Sequence, residues 1–368
     1  MNYLSPFEYN GIVTGMRFVG RENEVSRVQK LISAHKNVLL YGPPKIGKRS
    51  IVHNALKGMD LEGEGIVVCK LDLFNIRHVD KLMFRLAKGV SAALLEPQEQ
   101  QKAYSTFLKN IPMETSPKQS LTDKQIKLLL KFPQSLAHSR KKHLVLYFQQ
   151  FQDILLFDKP MKILGMLESA FADAKDVSLI IIGDKRNAMY SIFEEMHFFR
   201  NVVTEVPIKF INRKVFAEFI VKCFAQGGKE ASLKDALTIY DILEGDPWYA
   251  QHLAEICYLL TDKVLDQEII QRGVKHLLSM YDYELHNTIY GLSNHQLQLL
   301  RAILDGERRF SKTEVLEKYG LNSSANVNRL KEALTKKEIV TFVSKNTIDF
   351  NDSLLKLWFR NYFFNDQY

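Results

Sequence analysis

The sequence predicts an α/β domain built on a mostly parallel sheet, then an all-helical subdomain, then a small domain of three helices and a hairpin. Three observations predict it. Short apolar runs at Val38–Tyr41, Ile66–Phe74, Leu144–Phe148 and Leu179–Ile182 alternate with helical patterns through the first half, the mark of βαβ units. From Arg213 to Met280 the periodicity is helical throughout. From Leu292 onward three helical stretches precede two strand-like ones, the order of a winged helix, a helix-turn-helix variant. The domain limits that follow are 1–210, 211–288 and 289–368.

In chain order, Val38–Tyr41 runs into Gly42-Pro43-Pro44, and a helical stretch occupies Ser50 onward. The strand-like Ile66–Phe74 leads to a helix from Val79 to about Leu95. The segment Glu96–Lys142 is rich in Gln, Lys and Ser and contains Pro97, Pro112, Pro117 and Pro133, so two short surface helices without chemistry are expected there. In the helical subdomain Val215, Phe219, Ile220 and Cys223 share one apolar face, and Ala250, Leu253, Ala254 and Cys257 another. Gln296–Leu304, Lys312–Lys318 and Ser323–Lys336 are the three later helices. Ile339–Val343 and Thr347–Phe350 form a hairpin that turns at Lys345-Asn346.

With 368 residues, 46% of them hydrophobic and 25% charged, the chain is an ordinary globular one with enough apolar surface for two to three cores. The three cysteines, Cys69, Cys223 and Cys257, form no CxxC pair, which argues against a disulfide framework or a zinc site. The opening MNYLSPFEYNG is not a secretion signal, and no apolar run is long enough to span a bilayer. The protein is therefore expected in the cytoplasm. A net charge of +8 favours phosphate polymers. It is equally consistent with a lysine-rich solvated surface.

The sharpest signal is Gly42-Pro43-Pro44-Lys45-Ile46-Gly47-Lys48-Arg49. It matches the phosphate-loop pattern GxxxxGK[ST] at every position but the last, and lies between a strand and a helix, where that mechanism requires it. Glycines let the backbone curl so that successive N–H groups face a phosphate, and the helix N-terminus adds positive charge. Lys48 would reach the β- and γ-phosphates of ATP or ADP. Arg49 stands where a Ser or Thr hydroxyl should bind Mg²⁺; it either adds charge toward the phosphates or points away. Ser50 follows but is turned roughly 100° around the helix, a poor substitute.

Several stretches together resemble the archaeal-type ATPase family of the AAA+/STAND P-loop proteins. Phe18–Glu24 is similar to its "F-x-GR-E-x-E" opening segment, and Tyr41–Ser50 to its "YGPRRIGKTS" loop. Leu144–Gln152, LVLYFQQFQ, resembles its Walker B strand, which usually ends in "DEFQ". Ile182–Arg186 resembles its "TGSxR" sensor strand, Gly245–Gln251 its "G-x-P-x-Y-x-Q" motif, and Asp352–Phe359 the tail after its winged helix. The likeness covers nearly the whole chain. It implies a P-loop domain, a helical lid and a winged helix, with an ATP site between the P-loop and the lid. On this resemblance Gly20 and Arg21 approach the adenine side and Pro247 reports on bound nucleotide from the lid. Gly245–Pro247 also reads as a plain helix stop and restart.

The departures concern hydrolysis. Gln149 and Gln150 stand where the resemblance has the Mg²⁺-binding and water-activating acids. Asp72 and Asp184 are spare acids, although Asp72 also reads as a simple strand-end cap. Nucleotide binding with slow or absent hydrolysis is expected, and Mg²⁺ only weakly held. The chain then acts as a nucleotide-dependent switch. The alternatives are an active ATPase using Asp72 or Asp184, and a DNA-binding protein with a relic nucleotide site. In the recognition helix Ser324, Asn328, Arg329 and Lys331 fall on exposed sides, with Lys345 on the wing, suited to phosphate and base-edge contacts. Glu332, Glu338 and Asp349 are interspersed, so the partner is duplex DNA or a protein.

Overall fold

The computed structural model describes residues 5–100, 121–343 and 347–364. They fall into two compact units, one within Glu22–Gly42 and Ile51–Ile208, the other within Met1–Arg21, Pro43–Ser50 and Lys209–Tyr368.

The first unit is built on five parallel strands: β1 (Asn37–Tyr41), β2 (Ile66–Asp72), β3 (His143–Gln149), β4 (Val177–Gly183) and β5 (Val203–Glu205). Their order is β2-β3-β4-β1-β5. Every residue of β3 and β4 is buried, as expected for a parallel sheet covered on both faces. The register sets Asp72 beside Gln149 and Tyr41 beside Gly183, so these strand ends share the carboxyl edge of the sheet. Ligands of open α/β sheets bind at that edge.

Helix α1 (Glu22–Ser33) precedes β1, and α2 (Lys48–Lys57) follows the loop after it. Helix α3 (Val79–Leu94) buries Leu82, Leu86 and Val90 on one face, and packs on β2. While 101–120 lie outside the described residues, the expectation that 96–142 holds only short surface helices is corrected for its second half. Its described second half forms one 17-residue helix, α4 (Asp123–Ser139), which buries Ile126, Leu129, Leu130, Pro133 and Ala137 and packs against α3 and β3. Thr122 and Gln125 open it with a reciprocal capping box. Pro133 sits inside the helix and is buried. Pro112 and Pro117 lie outside the described residues.

In the second unit α5 (Arg213–Gln226), α6 (Leu233–Ile242), α7 (Pro247–Leu260), α8 (Gln267–Met280) and α9 (Asp282–Tyr290) form the helical part. Phe216, Phe219, Ile220, Cys223 and Phe224 are its buried face in α5, whereas Val215 is 38% exposed. The spacing predicts Val215 inside; Phe216, in helical phase with Ile220 and Cys223, is buried in its stead. The predicted face of α7 is buried, with Ala250, Leu253, Ala254 and Cys257 all at 0% exposure.

Then come α10 (Asn294–Leu304), α11 (Thr313–Tyr319) and α12 (Ser324–Lys336), followed by the antiparallel pair β6 (Val340–Phe342) and β7 (Ile348–Phe350). Ser293 and Gln296 cap α10 reciprocally, and Gly320, at φ +61°, ends α11 in the left-handed conformation. Val327, Leu330 and Leu334 point into the core, as their spacing predicts. Lys345 and Asn346 lie outside the described residues. A last helix, α13 (Ser353–Trp358), is capped by Asp352. Among the described residues no helix is long and apolar enough to cross a membrane.

Candidate functional site

The loop after β1 is curled. Lys45 has φ +63° and Gly47 φ +100°, and α2 begins at Lys48. Gly47 faces open space, so its glycine is required by the backbone alone. Lys48 is buried, and its Nζ donates to the Pro43 carbonyl at 2.6 Å, back across the loop. Pro43 is half-buried and Pro44 exposed, while Gly42 and Ile46 are buried. Arg49 is exposed on the first turn of α2. Ser50 points elsewhere: it is buried, and its Oγ accepts from the Val13 N–H at 3.0 Å.

Arg21 is also buried, with its guanidinium donating to the carbonyls of Lys209 and, at 3.1 Å, Ile46. It therefore braces the loop from within. Gly20, at φ +66°, lies so close to Ile211 that a Cβ there would stand 2.6 Å from its side chain.

Pro247 is the first residue of α7, behind the cap Asp246. Asp246 accepts from the N–H groups of Trp248 and Tyr249 at 3.0 and 3.1 Å. Burial pushes its carboxyl up to about 6, against the pull of these hydrogen bonds. The preceding Gly245 has φ +84° under the Tyr240 ring. The segment is thus a helix stop and restart. It also presents Trp248 and Tyr249 to the ammonium of Lys45, at 3.7 and 4.7 Å from the ring centres, with Tyr281 at 5.6 Å. Sequence reasoning missed this contact, because 203 or more residues separate Lys45 from the rings; the adjacent aromatics in Gly245–Gln251 were the only signal.

At the carboxyl edge of the sheet Gln149 ends β3 and is buried. Gln150 takes the left-handed conformation, φ +54° and ψ +41°. Its Nε2 donates to the Asp184 carboxylate at 2.6 Å, and its Oε1 accepts from Gln152 at 2.6 Å. The Asp184 N–H donates to Gln152 Oε1 at 3.3 Å. Asp72 is exposed, and its Oδ1 accepts from the Phe74 N–H at 2.9 Å, which is a strand-end turn. Asp153 accepts from the Asn75 N–H at 3.2 Å.

On α12 Ser324, Asn328 and Arg329 are exposed. Lys331 is not on that surface. It is half-buried, with its ammonium 5.0 Å from the Phe310 ring centre and 5.3 Å from that of Phe342, and desolvation lowers its pKa. Its long stem folds over the apolar core rather than outward. Burial pushes the thiols of Cys69, Cys223 and Cys257 up to about 12, so all three are inert packing residues.

Residues 283–361 match a family model described as "Probable winged helix domain". No curated protein matches the chain. Among solved structures the chain is similar to the Walker-type ATPase PABY2304 of Pyrococcus abyssi, at 17% identity and a TM-score of 0.67, covering 96% of this chain and 99% of that one. It is also similar to the ORC2 protein of Aeropyrum pernix in its ADPNP–ADP complexes, at 13% identity and a TM-score of 0.54, covering 96% of both chains. These likenesses carry the fold. With the sheet order, the curled loop and the winged-helix match, they give the chain a parallel-sheet P-loop fold followed by a helical part and a C-terminal winged helix, the fold of those two structures.

Proposed function

We propose that the chain binds ATP or ADP at Gly42–Ser50 and works as a nucleotide-dependent switch, with slow or absent hydrolysis. The observation that carries this is the loop itself, curled at Lys45 and Gly47 and running into the first turn of α2. A curled loop that leads into a helix N-terminus suits a phosphate. Lys48 would exchange its bond to the Pro43 carbonyl for one to phosphate oxygen. Gly20, Arg21 and Pro247 would act as supports of the site rather than as direct contacts. Arg21 spends its guanidinium on carbonyls, and Pro247 starts a helix.

The donors fit Mg²⁺ poorly. Arg49 offers no hydroxyl, and an amide oxygen at Gln149 binds the ion more weakly than a carboxylate. The ion, when bound, would neutralise phosphate charge; here Lys48 and the backbone would do most of that. Calorimetric titration with ATP and ADP tests the reading. Lys48→Ala should weaken binding at least about tenfold, or roughly 1.4 kcal/mol. Equal affinity for variant and parent contradicts it.

A second reading, an active ATPase, draws on the bond between Gln150 and Asp184. It would put a carboxylate one residue's reach from where the resemblance has the water-activating acid. Loss of turnover in Asp184→Asn, with nucleotide affinity kept, would favour it. For the winged helix, duplex DNA is the proposed partner through Ser324, Asn328 and Arg329, with protein docking as the alternative.

A further inference from the structure

Lys45 has φ +63°, an unfavourable backbone for a residue with a Cβ. Glycine would hold the same curl without strain. A strained residue that persists is held by its surroundings, and here the holding contact is visible. The Lys45 ammonium lies 3.7 Å from the Trp248 ring centre, 4.7 Å from that of Tyr249 and 5.6 Å from that of Tyr281. Lys45 is exposed as a residue, yet burial of its ammonium is the largest influence on its pKa, lowering it. Asp352, Asp246 and Glu284 pull the other way and supply the compensating negative charge. Ring faces backed by carboxylates make a box for a cation, and the chain fills the box with its own lysine.

We propose that Lys45 is a positioning residue of the phosphate loop: seated among Trp248, Tyr249 and Tyr281, it anchors the loop in the curled shape that receives phosphate. The inference rests on the nucleotide reading of Gly42–Ser50. Releasing the ammonium frees the left-handed residue to relax, and the loop loses its curl. The same anchor reaches the end of the winged-helix region. The Tyr249 hydroxyl donates to Asp352 at 2.9 Å, and Asp352 caps α13.

The test is a double-mutant cycle on ADP affinity in the full chain, read by calorimetry without Mg²⁺, with thermal unfolding to verify folding. Lys45→Met and Trp248→Leu should each weaken ADP binding about tenfold, and the double variant should be no worse than either alone. Lys45→Arg, which keeps a cation for the rings, should stay within about threefold of the parent. Should Lys45 touch phosphate directly, Trp248→Leu would bind as the parent does, or the two losses would multiply; either result overturns the anchor. Fluorescence gives a second readout, because Trp248 and Trp358 are the two tryptophans. In a Trp358→Phe background Lys45→Met should change Trp248 emission before any nucleotide is added, and unchanged emission overturns the box. A parent that binds ADP and loses it in Lys48→Ala, but keeps it in both Lys45→Met and Trp248→Leu, refutes the anchor alone. A parent that does not bind ADP refutes the site reading and the anchor with it.

Discussion

At the scale of single residues, burial and partners decide what each ionisable group can do. His143 stands at the amino end of β3, stacked on His35 at 3.6 Å between ring centres and hydrogen-bonded to Ser178 at 2.9 Å. Desolvation, then the neighbouring His35, pushes its pKa down to about 4, against the pull of Asp176. The folded state therefore binds fewer protons than the unfolded state between pH 4 and 6.5. Stability from this group is full above pH 6.5 and is lost as pH falls toward 4. Asp246, raised to about 6, acts with the opposite sign, favouring the folded state as pH falls through its range. The comparison must accordingly be between variants. His143→Gln keeps a hydrogen-bonding group but does not titrate. Chemical denaturation at pH 7 and pH 4.5 should show the parent losing about 2 kcal/mol more than this variant. Equal losses would mean that His143 is not held neutral. In sequence His143 is a lone histidine that reads as structural; its stack on His35 joins residues 108 positions apart and is visible only in the fold.

At the scale of elements, the strands were legible because a buried parallel sheet needs continuous apolar runs, and β3 and β4 supply them. The winged helix was legible because Val327, Leu330 and Leu334 repeat at helical spacing and Ser323 caps their helix. What escaped depended on packing. Pro133 lies inside α4 on its buried face, and Phe216, not Val215, is in helical phase with Ile220 and Cys223. Lys331 counted as a surface cation until its ammonium was found over two phenylalanines. These placements give opposite expectations for neighbouring residues of α12. Arg329→Ala should weaken binding of duplex DNA at low salt and reduce the salt slope by about one. Lys331→Ala should leave DNA affinity within about twofold and instead lower stability by roughly 0.5–1 kcal/mol. Filter binding across a salt series, paired with denaturation, checks both. A larger DNA defect in Lys331→Ala than in Arg329→Ala would return Lys331 to the outer surface.

At the scale of the whole molecule, the fold and the chemistry part company. The fold was readable from the order of its motifs: phosphate loop, apolar strand runs, helical stretch, winged helix. Whether the chain turns nucleotide over depends on a few atoms at the strand ends and in the loop. On the resemblance, Arg49 stands where a hydroxyl would be, and Gln149 and Gln150 where two acids would be. Phosphoryl transfer is catalysed mainly by positioning and charge stabilisation. Losing ion ligands and base together should raise the barrier by several kcal/mol, roughly a thousandfold or more in rate. The most direct measurement is steady-state ATP turnover of the parent beside Arg49→Thr/Gln149→Asp/Gln150→Glu, at nucleotide concentrations that saturate both. The account predicts a parent that binds ATP but turns over far more slowly than the triple variant. A parent already turning over on the order of once per second, the low end of ordinary enzymes, would contradict it and point to Asp184 or Asp72 as a working acid.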